Sequence, residues 1–195
     1  MDVRSDIIDV TFQLIMEKGF TDVSLNCVLT RVDITKGGFY YYFKNKDELM
    51  LEVLSKYFFR NINDCLVAIE SHPGNAREKL EMFFGAAVHY RASLQAADID
   101  LREYCLILME GIKKYSILAE RCLDFHTNIR LILGNILYQG KVEGLINEDI
   151  EPDQMAMHIM TCLGGTLLFW VINPSLNLEQ ITSNSFDYLW KSLNK

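Results

Sequence analysis

Apolar residues recur at three- and four-residue intervals along nearly the whole chain, and no stretch alternates with the period of two that a half-buried strand needs. Ile8, Thr11, Phe12, Ile15 and Met16 share one helical face, and Gly19 ends that helix after Lys18. Leu25, Val28, Leu29 and Val32 fall at i, i+3, i+4 and i+7, which predicts a short second helix capped by Ser24. Val32-Asp33-Ile34 interrupts the pattern: Asp33 tolerates a turn, and Ile34 can plug the angle between two helices. Thr35 caps a third short helix whose inner face carries Phe39 and Phe43. Asn45 caps a fourth, which continues through Leu49, Val53, Leu54, Tyr57 and Leu66 to about Ile69. At 1.5 Å per residue that run is roughly 36 Å long. Ser71-His72-Pro73-Gly74-Asn75 is the clearest break.

Everything after Ala76 reads as helix. Leu80, Phe83, Phe84, Ala87 and Val88 stand at helical spacing, and a polar piece from Gln95 to Asp100 leads into LREYCLILMEGI. A longer helix follows from about Ser116 to Val142, closed by Gly144. Pro152 starts another, ended by Asn173-Pro174, and the last runs from about Leu178 to Leu193. The helix from Pro152 to Ile172 is apolar around nearly its whole circumference, through Met155, Met157, Ile159, Met160, Leu163, Leu167, Leu168, Phe169 and Trp170. Such a helix is buried on several sides. One side can face its own domain, the other needs a partner, and Gly164 and Gly165 allow close approach there. The fold expected is all-α, with about nine helices. Residues 1–47 form a three-helix N-terminal domain and residues 48–195 a second helical domain, the helix from about residue 46 being shared.

The second and third helices, short and joined by a tight turn, make a helix-turn-helix, whose second member can lie in the DNA major groove. Its surface suits that task. Gly37 and Gly38 let the backbone approach a base edge, at a cost of about 1 kcal/mol each in helix propensity. Lys36 can reach a phosphate or a guanine. Tyr40, Tyr41 and Tyr42 follow one another at 100° and cannot all be buried. Lys46 puts a cation beside the free N–H groups of the next helix, a combination suited to phosphate.

The run TKGGFYYYF, followed by Lys46 and Leu49, resembles the DNA-binding signature of the TetR family of one-component bacterial transcriptional regulators. The likeness runs from about Ile8 to Leu54, and the remaining length resembles that family's helical ligand-binding and dimerisation domain. On the family pattern, Ser24 and Thr35 match helix-start hydroxyls that touch phosphate. Asn26, Lys36, Gly37 and Tyr41 match groove-facing positions, and Tyr40, Tyr42 and Lys46 match phosphate contacts. Two positions depart from it: Asp33 stands where the turn usually carries Gly, and Leu29 where it carries a small residue. Taken singly, Tyr40 and Phe43 fit core packing as well as contact, and Tyr42 fits a solvated ring. The resemblance implies a homodimer joined through the helices at about 152–172 and 178–193, with two recognition helices one DNA turn apart. It also implies a repressor that a small effector releases from a palindromic operator.

Composition narrows this picture. The chain has 195 residues, half of them hydrophobic, enough for a proper core. No continuous apolar run reaches the about 18 residues that span a bilayer, and the acidic start lacks a signal peptide's basic and apolar regions; a cytoplasmic protein is expected. Five cysteines without a C-x-x-C imply reduced thiols. Residues 1–50 carry a net charge of −2 within a total of −7. That runs against the basic footprint of a nucleic-acid binder. Lys36, Lys44 and Lys46 nevertheless cluster on one edge, and two half-sites per dimer then become necessary.

The middle helices mix Phe83, Tyr104, Met109 and Phe125 with His89, Glu110 and His126, the composition of an apolar pocket with a few polar contacts. An apolar or aromatic effector follows. No phosphate loop, H-E-x-x-H or G-x-S-x-G is present, so no catalytic residue, cofactor or metal is expected. Cys122/His126 and Cys162/His158 each supply only half a metal site, and buried structural residues are the plainer reading. A redox-sensing regulator using Cys105 or Cys122, and a helical adaptor that binds no DNA, are the alternatives.

Overall fold

The computed structural model describes residues 2–96 and 99–194, so of the polar piece from Gln95 to Asp100, Ala97 and Asp98 lie outside the described residues. The chain divides into two compact units, one of Met1–Ile62 with Ala97–Cys122, the other of Asn63–Ala96 with Leu123–Lys195.

In the first unit, Asp2 caps α1 (Val3–Asp22) by accepting from the Arg4 N–H. Ile7, Ile8, Phe12, Leu14, Ile15 and Phe20 form its buried side. Gly19, at φ 80° and ψ 163°, breaks the helix where the sequence placed its stop, and Phe20 to Asp22 follow as a displaced last turn. α2 (Leu25–Val32) and α3 (Lys36–Tyr42) are capped as expected: Ser24 Oγ accepts from the Cys27 N–H and Thr35 Oγ1 from the Gly38 N–H. Between them Asp33 adopts the left-handed conformation, φ 59° and ψ 49°, and the N–H groups of Asp33 and Ile34 both reach the Leu29 carbonyl. Aspartate can thus close the turn that glycine usually closes.

α4 (Lys46–Leu54) starts at Asn45, whose side chain accepts from the Glu48 N–H while Glu48 accepts from the Lys44 N–H. The expected continuous helix is instead α4, a π-helical turn at Ser55–Phe59, and α5 (Arg60–Ser71). The wide turn coincides with a locked residue: Tyr57 stacks on Phe12 at 3.8 Å, donates a hydrogen bond from its hydroxyl to Asp9, and accepts one from the Tyr104 hydroxyl on its carbonyl. Tyr104 belongs to α7 (Leu101–Lys114), which packs on α1 and whose Gly111 leaves no room for a side chain against Phe20 and Leu118.

In the second unit, α6 (Ala76–Ala96), most of α8 (Ser116–Val142), α9 (Pro152–Ile172) and α10 (Leu178–Leu193) surround one core. Leu80, Phe84, Leu133, Leu137, Ile159 and Phe186 are among its members. Counting α4, the π turn and α5 as one run, the described residues form nine helical runs and no strand.

α9 corrects one expectation. It is long and apolar enough, by length and composition only, to cross a membrane, although its apolar residues are not one continuous run. Within the chain one side of it is covered, at Ala156, Ile159 and Trp170, while Leu168, Phe169 and Ile172 are exposed. Its outer face is an unpaired apolar surface.

Candidate DNA-binding surface

The inward side of α3 is settled by Phe39 and Phe43, both fully buried and stacked at 5.6 Å, with the Arg4 guanidinium over the Phe43 ring at 5.1 Å. Periodicity then dictates the outward side. Tyr41 is 82% exposed and Tyr40 52%, which removes the core reading of Tyr40. Tyr42 is half-buried and meets the Tyr41 ring edge-on at 4.9 Å, so it is not a freely solvated ring. Lys36, Gly37 and Thr35 are exposed at the start of the same helix, and Ser24 and Asn26 at the start of α2. The nine expected contact residues therefore lie along the α2 and α3 starts, the outer face of α3 and the first residue of α4. Eight are described with no partner that turns them inward.

Lys46 is the ninth and differs. Its ammonium donates to the Val23 carbonyl, and burial holds it below the ordinary lysine value, with the nearby Lys114 charge acting the same way. It ties the start of α4 to the residue preceding the Ser24 cap. No short-range signal in the sequence announces this bond.

The glycines of α3 have no internal reason. A Cβ on Gly37 would meet only Thr35 Oγ1 at 3.9 Å, and one on Gly38 the same atom at 3.5 Å, ordinary contact distances.

The seven candidate ligand residues do not share a unit. Phe83 is in the core of the second unit and Phe125 packs against it; His89 and His126 are exposed there. His89 borders a cavity of about 250 Å³ between α6 and α10, with Phe84 and Phe186 as apolar lining and Glu81, Glu179 and Asp187 as acidic lining. Tyr104, Met109 and Glu110 belong to the first unit. Tyr104 is buried with its hydroxyl on Tyr57, Met109 is 64% exposed, and the Glu110 carboxylate accepts from Thr21.

Among the described residues no group of three or more His, Cys, Asp and Glu could hold a metal. Cys162 and His158 lie 3.5 Å apart on the outer face of α9. Burial pushes the Cys105 thiol up to about 11 and also raises Cys122. Cys27 is the thiol held below its ordinary value, chiefly by the hydroxyl of Ser24, which donates to its sulfur at 3.1 Å.

Residues 7–53 match the family model of bacterial regulatory proteins, tetR family. An uncharacterised HTH-type transcriptional regulator from the lacX 3′ region of Lactococcus lactis subsp. lactis is 26% identical over all of this chain and 94% of its own length. The SmeT–triclosan complex superposes with a TM-score of 0.79 at 17% identity, covering all of this chain and 93% of its own. The FadR regulator of Bacillus subtilis with stearoyl-CoA gives 0.73 at 22% identity, covering 96% of this chain and 98% of its own. With this segment matched and its helix-turn-helix capped and exposed as described, residues 7–53 form a DNA-binding domain of the tetR family of bacterial regulatory proteins.

Proposed function

We propose that the protein is a cytoplasmic, dimeric repressor that leaves a palindromic operator when a small apolar or aromatic effector binds. Residues 1–47 would read the operator and residues 48–195 would hold the effector and the second copy. The exposed glycine-and-tyrosine face of α3 carries this reading, because it keeps a costly glycine pair that no close contact within its own chain requires. Ser24, Thr35, Tyr40, Tyr42 and Lys46 are assigned to phosphate, and Asn26, Lys36, Gly37 and Tyr41 to the groove.

The second copy is assigned to the outer faces of α9 and α10. Leu168, Phe169, Ile172 and Tyr188 are exposed there, and nothing lies within 4 Å of a Cβ added at Gly164 or Gly165. An isologous four-helix contact covers that surface and supplies the second half-site contact that a net-acidic chain needs. For the effector, SmeT with triclosan and FadR with stearoyl-CoA are relatives by fold whose named partners carry large apolar parts. Release requires the effector to favour one spacing of the two recognition helices by a few kcal/mol. His89 and Phe83 remain the candidates in the second unit.

A mobility shift on DNA flanking the gene tests this. Lys36→Ala and Tyr41→Ala should weaken binding to the operator, and hydrophobic compounds should release it. Effector binding with unchanged operator affinity would refute the switch. A thiol-based response is the second reading, favoured at Cys27 by the Ser24 hydrogen bond and disfavoured at Cys105 and Cys122 by burial. Retained effector release after replacement of all five cysteines removes it.

A further inference from the structure

The kinked end of α1 is held at several backbone groups by side chains distant in sequence. After Gly19 turns the chain, the Thr21 N–H and hydroxyl both donate to Glu110 Oε1, the former at 3.0 Å. The Phe20 carbonyl accepts from Lys114 Nζ at 3.3 Å, and the Val23 carbonyl accepts from Lys46. Glu110 and Lys114 are four residues apart on α7, hence on one face. One takes donors and the other supplies a donor. The fit is close: a Cβ on Gly19 would stand 3.1 Å from Glu110 Oε2, so the left-handed glycine admits the carboxylate as well as turning the chain.

The held segment is where the DNA-binding helices begin. Val23 precedes Ser24, the cap of α2, and Lys46 is the first residue of α4. α3 lies between those two starting points in the chain. Its direction follows from where α2 starts and where α4 resumes, together with the Asp33 turn.

We propose that Glu110, with Lys114 one turn further along α7, is a positioning residue for operator binding, clamping the Phe20–Val23 turn so that α2 and α4 start from fixed points. This rests on the operator-binding reading and gives Glu110 a task other than effector contact. The Glu110 carboxyl is held below its ordinary value, first by the Thr21 hydroxyl, and so stays ionised as an acceptor near neutrality. The clamp costs the protein no contact with DNA, so its loss separates specificity from bare attraction: misaligned recognition helices still meet phosphates but no longer match base edges.

The test is binding of the full-length dimer to its promoter fragment and to a scrambled fragment, at a temperature where every variant retains its helical signal. Glu110→Ala should lose about tenfold in operator affinity with binding to the scrambled fragment unchanged. Glu110→Gln should stay within about threefold of the natural protein, since an amide oxygen still accepts from Thr21. Thr21→Val combined with Glu110→Ala should be no worse than Glu110→Ala alone, because both act through one interaction. Equal discrimination by Glu110→Ala and the natural protein overturns the inference alone, as does parallel loss on both fragments or a Gln variant as weak as Ala. A natural protein that cannot distinguish the fragments overturns the operator-binding reading, and the inference with it.

Discussion

α3 and α9 each carry a glycine pair, and in neither helix would an added Cβ be crowded: it would make ordinary contacts with Thr35 and Ile34 in α3 and meet open space in α9. The glycines of Gly111 and Gly140 behave oppositely: an added Cβ would stand 2.9 Å from Phe20 and Leu118 in the first case, and 2.5 Å from Ile146 in the second. Those two are explained inside the chain. Gly37, Gly38, Gly164 and Gly165 are not, and each pair lies beside exposed aromatic or aliphatic side chains, Tyr41 in one helix and Phe169 in the other. A helical glycine that no close contact within the chain requires points to something outside the chain. For α3 we assign DNA, for α9 a second copy.

The largest expected effect is on the α9 side. Phe169→Asp would place an unpaired charge in the proposed dimer contact; we expect a monomer by sedimentation and on the order of hundredfold weaker operator binding, because one half-site cannot hold the complex. A dimer that survives this change would mean α9 is not the contact. Next comes Gly111→Ala, which must push Phe20 or Leu118 aside and should cost about 1–3 kcal/mol in denaturant unfolding. Gly164→Ala should leave the unfolding of the isolated chain nearly unchanged, and any effect should appear in the dimer constant instead.

Asp33→Gly is a smaller change of opposite sign. Glycine adopts φ 59° without the crowding an L side chain meets, so the variant should gain up to about 1 kcal/mol. Smaller still is the acid response of Asp9. Burial would raise its carboxyl, but the hydrogen bonds from Lys56 and Tyr57, with the Lys56 charge, outweigh burial and leave it below its ordinary value. A depressed folded value means stabilisation that is present above the unfolded value and lost as pH falls through the folded one. The stability gap between the natural protein and Asp9→Asn should therefore close on acidification below the ordinary aspartate range, read from denaturant midpoints across pH.

Much of the DNA-binding surface was legible because its determinants are local. The caps Ser24, Thr35 and Asn45 each act within three residues, and Asp33 was readable as a turn residue from its own chemistry. Phe39 and Phe43 declared their side by spacing. What escaped was set by residues far apart in sequence. Lys46 matched a phosphate position, yet its ammonium donates to Val23, 23 residues away. Composition places Glu110 among the effector candidates and says nothing of its hydrogen-bond partner Thr21, 89 residues upstream. The π turn was equally silent, since Tyr57 is held by Phe12, Asp9 and Tyr104, none of them a neighbour in the chain. For α9 the pattern showed an apolar circumference but not how little of it the chain itself covers.

The most direct test of the central claim is a paired measurement on Gly37→Ala, thermal unfolding and operator affinity on the same preparation. The account predicts unfolding at the same or a higher temperature, alanine being the better helix former by up to about 1 kcal/mol, together with clearly weaker operator binding because the methyl group blocks backbone approach. Undiminished operator affinity in that variant would contradict it.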